Sequence, residues 1–225
     1  MYDINFGALS SFAGMFAGGV AVTFALSTAT LVISVPLGLG GALLRTSRFP
    51  AARMAAAAYV QVIRNVPLVL ILFIVYFALP DLGIKLYAFA AGVAGLSING
   101  VCYVIEIFRG GLAGIPQGQR DAAHSLGMRP RQVFRYVVFP QLLRISFPSL
   151  GNQVVGTVLG SSVVFFIGIQ DLTSISNQVG STTFRYFEVF TITGFLYLLA
   201  AQLINRAWVQ VGRRWVVAGS APSEH

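Results

Sequence analysis

No residue from Phe6 through Leu44 carries a charge. About 20 apolar residues are enough to carry a helix across the hydrocarbon core of a bilayer. Inside lipid every backbone N–H and C=O must find a partner within the protein, and a helix supplies that partner locally. A chain that opens this way is expected to be helical and membrane-embedded. The composition agrees: 56% of residues are hydrophobic, 10% are charged and the mean hydropathy is +0.77, whereas a soluble domain carries about a quarter charged residues. A secretory signal would need a positive start and a short apolar core. Here Met1 to Ala8 holds Asp3 and no basic residue, and the apolar run continues to Leu44.

Hydropathy divides the chain into five expected spans: Phe16–Leu44, Ala55–Leu79, Leu86–Ile107, Ile145–Ile169 and Val189–Val211. Pro36, Gly38, Gly40 and Gly41 predict a kink or an extension late in the first. Pro80–Lys85 and Gln170–Phe187, the latter with Asp171 and Arg185, read as external loops. The expected organisation is one membrane domain over residues 1–215 with a disordered cytoplasmic tail over residues 216–225. Most of the fifteen basic residues fall at Arg45–Arg53, at Arg109–Arg144 and at Arg206–Arg214. Loops rich in Arg and Lys stay in the cytoplasm, so the N-terminus is expected outside and the C-terminus inside. Arg64 stands about nine residues into the second span, about 14 Å along a helix. It either faces a partner or cavity at depth or snorkels to the headgroups.

The stretch Glu106–Gln141 is the longest polar passage. Gln117–Leu126 favours a helix, Gly127 suits a left-handed cap, and Pro130 suits the first turn of a second helix. In that second helix Val133, Phe134, Val137 and Val138 share one face, Arg131, Gln132 and Arg135 the other, and Pro140 is expected to end it. The passage therefore reads as a helix–turn–helix at the cytoplasmic surface.

The net charge of +8 and pI near 10.3 follow from these loops and do not point to nucleic acid. Cys102, His124 and His225 are too few and too scattered for a metal cluster. No nucleophile–base arrangement is evident, and no G-x-x-x-x-G-K-S/T phosphate loop occurs.

Asp121-Ala122-Ala123, then Gly127, then Val137-x-Phe139-Pro140 follow the spacing Glu-Ala-Ala, Gly, aliphatic-x-Leu-Pro. Glu106-x-x-Arg109-Gly110-Gly111, Ile115-Pro116-x-Gly118-Gln119, Arg64-Asn65-Val66-Pro67, Pro140-Gln141 and Pro148 with Asn152 add to it. Over roughly residues 16–214 the chain resembles the permease subunits of polar amino acid ABC importers. Asp121 and Phe139 depart from the usual Glu and Leu. Leu159-Gly160-Ser161-Ser162-Val163 lacks a lysine that relatives often carry two residues before Thr-Ser-Leu.

The resemblance implies the type I importer permease fold in a bacterial cytoplasmic (inner) membrane. It implies a cytoplasmic ATPase dimer that holds ATP and Mg, none being bound by this chain. It also implies a second permease, either a homologue or another copy, and an extracytoplasmic amino acid-binding protein. Ala122, Ala123 and Gly127 are small enough for close docking to the ATPase, while Asp121, Arg120 and Arg129 can supply charge-assisted bonds at the rim.

A zwitterionic amino acid in a low-dielectric pathway needs donors for its carboxylate and acceptors for its ammonium. The candidates within spans are Arg64, Asn152, Gln153, Thr157, Ser161 and Ser162. Gly156-x-x-x-Gly160 in the same span permits close helix packing. The alternative is an ATP-independent secondary transporter or channel. It is disfavoured by the lack of internal repeats and by Glu106 being the single acidic residue in or at the end of a span.

Overall fold

The computed structural model describes residues 4–216. Within them the chain is helical throughout, with no strand among the described residues. A 3-10 turn over Phe6–Phe12 is capped by Asn5, whose Oδ1 accepts from the Ala8 N–H at 3.3 Å. It leads into α1 (Ala13–Arg45), one continuous helix through Pro36. Then come α2 (Pro50–Arg64), α3 (Leu68–Phe73, prolonged by π and 3-10 turns to Leu82), α4 (Ala88–Ala113) and α5 (Gln117–Ser125). The short α6 (Pro130–Gln132) runs through a π-helical stretch, Val133–Val138, into α7 (Phe139–Gly160), which closes in a 3-10 turn to Ile167. α8 (Leu172–Thr183) and α9 (Tyr186–Val216) complete the bundle. Four helical segments are long and apolar enough to cross a membrane, and a fifth span results if α2 and α3 form one broken crossing. The expected tail lies outside the described residues, except that Val216 still belongs to α9.

Small residues bring these helices together. In lipid, apolar side chains gain little by leaving one environment for another like it, so association depends on close backbone approach. A Cβ on Gly38 or Gly41 of α1 would collide with Val104 or Ile105 of α4, and one on Gly100 of α4 would sit 2.8 Å from the Ser34 Oγ. α4 also packs on α2, α3 and α7. The Tyr59 hydroxyl donates to the Ile98 carbonyl at 2.6 Å, fixing α2 to it. On α7, Gly151 lies under the Trp208 ring of α9, and the Trp208 Nε1–H donates to the Phe147 carbonyl at 2.9 Å.

Three expectations are corrected. The second span is not one helix: α2 and the α3 segment meet at 105° across a short break. Pro67 has no N–H to continue α2 and disfavours helical backbone at Val66. The Asn65 Nδ2 instead donates to the Gln61 carbonyl at 2.6 Å and closes α2. Pro140 does not end the second coupling helix. It sits in the first turn of α7, and the π-helical stretch just before it shifts the hydrogen-bond register so that the missing N–H and the ring are accommodated.

The segment Gln170–Phe187 is not a polar loop either. It folds as α8, whose Leu172, Ile175 and Val179 are buried in a cluster with Leu9, Phe16 and Val189. Gly19 of α1 lets the Leu172 backbone approach, and the Thr23 Oγ1 accepts from the Leu172 N–H at 3.2 Å. Asp171 and Glu188, solvent-facing by their charge alone, are 0% exposed. Asp171 caps α8, accepting from the Ser174 N–H at 2.9 Å. Glu188 pairs with Arg185 at 2.9 Å and accepts from the Asn5 N–H. Burial pushes the Asp171 carboxyl above its usual range, against the opposing hydrogen bonds from Ser174 and Thr173.

Two stability outcomes follow. Gly38→Leu forces Val104 aside and is expected to lower the thermal stability of the purified protein by about 1–3 kcal/mol, whereas the same change at open Gly14 has little effect. Asp171→Ala removes the cap of α8 and is expected to lose about 1 kcal/mol, while Asp171→Asn keeps the accepting oxygen and is tolerated. Thermal unfolding of the solubilised protein distinguishes them; equal losses for Asn and Ala would show that the cap is not what matters.

Candidate functional site

α5 and the turn after it form a compact surface at the foot of α4. The turn is a double cap: the Gly127 N–H donates to the His124 carbonyl at 2.9 Å and the Met128 N–H to the Ala123 carbonyl at 3.2 Å. It requires the left-handed backbone of Gly127 (φ 78°), which suits glycine. The Arg129 N–H donates to the Gln132 Oε1 at 2.8 Å and starts the next helix. Ala123 faces inward, in one cluster with Leu112, Ile115 and Val133. Arg120 also turns back into its own chain, donating to the Leu112 carbonyl at 3.0 Å. Asp121 is exposed and accepts from Gln117 at 3.0 Å.

The outward face is therefore Gly118, Ala122 and Leu126, four residues apart on one side of the helix, with Gly127 and Arg129 beside them. Leu126 is 83% exposed. In the sequence Leu126 reads only as a helix end. The signal it does carry is that of a lone leucine in a polar helix just before the capping glycine.

A second site lies within the spans. A cavity of about 280 Å³ between α4 and α7 is lined by Asn99, Tyr103, Gln153, Gly156, Thr157 and Gly160, with Leu68 and Leu96. Gly156 and Gly160 do not serve close helix packing: neither meets a neighbour closer than 3.9 Å where a Cβ would stand. Their lack of side chains opens the cavity instead. The Gln153 Nε2 lies 3.4 Å from the Thr157 Oγ1, which donates to the Gln153 carbonyl at 2.8 Å.

Among the other expected pathway residues, Asn152 is exposed away from the cavity. Ser161 is fully buried and donates to the Val158 carbonyl at 2.8 Å, and Ser162 does not line the cavity. Asn99 and Tyr103 line the cavity although they are not among the expected residues; their spacing of four in an apolar helix is a readable sign. Arg64 sits one layer away, with its guanidinium 5.8 Å from the centre of the Tyr103 ring. It lines an adjoining cavity of about 420 Å³ with Arg45, Gln61 and Glu106. Glu106 bridges two arginines, Arg45 at 2.7 Å and Arg109 at 2.8 Å.

The family model described as the binding-protein-dependent transport system inner membrane component matches residues 34–216. The chain belongs to this family. It is thus an ABC-type permease subunit, a multi-pass inner-membrane protein that does not itself hydrolyse ATP. Such permeases work with an ATPase and a binding protein.

The permease is 34% identical to the probable glutamine ABC transporter permease protein GlnM of Bacillus subtilis (strain 168), over 82% of this chain and 86% of that protein. It is 33% identical to the arginine transport system permease protein ArtQ of the same organism, over 83% and 86%. A solved amino acid ABC transporter with histidines superposes with a TM-score of 0.88 at 33% identity, covering 95% of this chain and 100% of that one. The MetNI methionine transporter, at 21% identity and a TM-score of 0.75, shares the fold.

Proposed function

We propose that the permease imports a polar amino acid, with its N-terminus outside and α5 facing the cytoplasm. The observation that carries the reading is the cavity between α4 and α7, where amide, hydroxyl and phenol groups converge inside an otherwise apolar bundle. Relatives named for glutamine and arginine transport support an amino acid as cargo. The gathering of Arg45, Arg53, Arg109 and Arg120 at one end supports the orientation.

A cytoplasmic ATPase dimer, holding ATP and Mg, docks on the face formed by Gly118, Ala122 and Leu126. Leu126 enters a groove of the ATPase, while Asp121 and Arg129 contact its rim. Ala123 and Arg120 act from inside, holding α5 against α4. A second permease, a homologue or another copy, closes the pathway, and an extracytoplasmic binding protein delivers the cargo. Because Leu159 supplies no cation, we favour a homologue as the second permease, with the stronger contacts to the amino acid coming from it. The deciding experiment reconstitutes the complex with its ATPase and binding protein and measures uptake of labelled amino acids; uptake without ATP would sink the reading.

Leu126→Asp and Gly127→Val are both expected to abolish substrate-stimulated ATPase activity. The first removes the apolar contact and the second forces Val into a left-handed backbone. Normal stimulation in both would exclude this surface as the ATPase contact.

Arg64→Ala is expected to reduce uptake while the complex still assembles, since it frees the Tyr103 face beside the cavity. Loss of assembly in step with uptake, read by size-exclusion chromatography, would assign Arg64 a structural role.

Thr157 is already satisfied by the Gln153 carbonyl. Thr157→Val is therefore expected to weaken uptake affinity by less than about tenfold, about 1.4 kcal/mol. A larger loss would place the principal amino acid contact in this chain.

A further inference from the structure

A cleft of about 450 Å³ opens at the α5 end of the bundle, lined by Arg45, Arg53, Arg109 and Arg120 together with Thr46 and Leu112. The four arginines come from four different helices: the last residue of α1, the first turn of α2, the last turns of α4 and the middle of α5. Among the described residues Glu106 is the one carboxylate that engages any of them, and Arg45 and Arg109 already share it. Neither Arg53 nor Arg120 has a carboxylate within ion-pair distance among the described residues. The Arg120 Nε–H is buried without an acceptor. Four cations against one anion repel one another, and a partly desolvated site intensifies that repulsion.

The fold holds these groups together, so the cleft is built for an anion with several acceptor oxygens. Forked guanidinium donors match the paired oxygens of phosphate and carboxylate alike, and several of them around one cleft suit the larger number of acceptor oxygens on a phosphate. The surroundings indicate where the phosphate comes from. Phe49 and Met54, beside Arg53 in sequence, are 61% and 64% exposed, and Leu44 next to Arg45 is 49% exposed. Apolar surface therefore flanks the charged cleft, as an acyl chain below a headgroup would require. Basic pockets at the ends of membrane helices take anionic headgroups in this way.

We propose that this cleft binds the phosphate of an anionic phospholipid, with Arg53 and Arg120 as its principal donors. The lipid neutralises the cluster around Glu106 and steadies α5 against α4, so the charge of the surrounding leaflet sets how firmly the docking surface is held.

The test uses the full transporter complex in nanodiscs of phosphatidylcholine, with and without phosphatidylglycerol. Wild-type protein is expected to retain phosphatidylglycerol in native mass spectrometry and to hydrolyse ATP faster in the anionic discs. Arg53→Gln is expected to lower retention about fivefold and to remove the stimulation. Arg53→Lys is expected to restore part of both, and Arg214→Gln, outside the cleft, to change neither. Equal retention in wild type and Arg53→Gln would overturn the proposal. Stimulation by inorganic phosphate in pure phosphatidylcholine discs would also overturn it, by showing a site for a free anion. So would a crosslink from Arg53→Cys to the ATPase, which would make the cleft a protein interface.

Discussion

Between helices in lipid, hydrophobic exclusion contributes little, and what remains is the van der Waals attraction of two backbones that nearly touch. In this permease that attraction is concentrated where α1 lies on α4, at Gly38, Gly41 and Gly100. Everything else is hung from the pair. α2 and α3 pack on α4, α7 crosses it, and α8 reaches α1 through Gly19 and Thr23. The cavity between α4 and α7 exists because α4 is already held on its other side. Its floor is set by residues that lack side chains, Gly156 and Gly160, as much as by those that have them.

The polar groups divide by depth. Near the ends of the bundle two carboxylates are tied to arginines: Glu106 with Arg45 and Arg109, and Glu188 with Arg185. In the interior they are mostly neutral hydroxyls and amides; Thr157 is satisfied by the carbonyl one turn earlier and Ser161 by Val158, while Ser27, Thr30 and Ser34 of α1 and Ser97 of α4 are buried without a partner. Such a distribution leaves the wall of the cavity between α4 and α7 polar without fixed charge, with Arg64 beside it against the Tyr103 ring.

The helical class, the spans and the cap at Gly127 are legible in the sequence because their signals are local. A charge-free run, a glycine after a helix and a proline at the start of the next act over one or two turns. The missed features depend on tertiary contacts. Asp171, Arg185 and Glu188 look like a solvated loop when their charges are read singly; folded, Glu188 pairs with Arg185 and Asp171 caps α8. Asn152 and Gln153 are neighbours in sequence, yet only Gln153 meets the cavity, since Gly151 under Trp208 and α4 on the other side fix the rotation of α7. The break after Arg64 carries a plain marker in Pro67, but hydropathy alone runs straight through it. Ala123 and Ala122 differ only in which side of α5 they occupy, and that is decided by Leu112, Ile115 and Val133.

The uninterrupted run from Pro130 through Ile167 has a mechanical meaning. One end begins three residues after Gly127, beside the exposed Leu126, and the other carries Gln153 and Thr157. At 1.5 Å per residue the shaft from Pro130 to Thr157 measures about 40 Å. Moving as one body, a shaft of that length turns a tilt of about 5° at its base into a sweep of about 3.5 Å at the cavity wall, comparable to the width of a water molecule. The π-helical turn at Val133–Val138 and Pro148 are the two places where this shaft can bend, and a bend near its base is magnified most at the cavity.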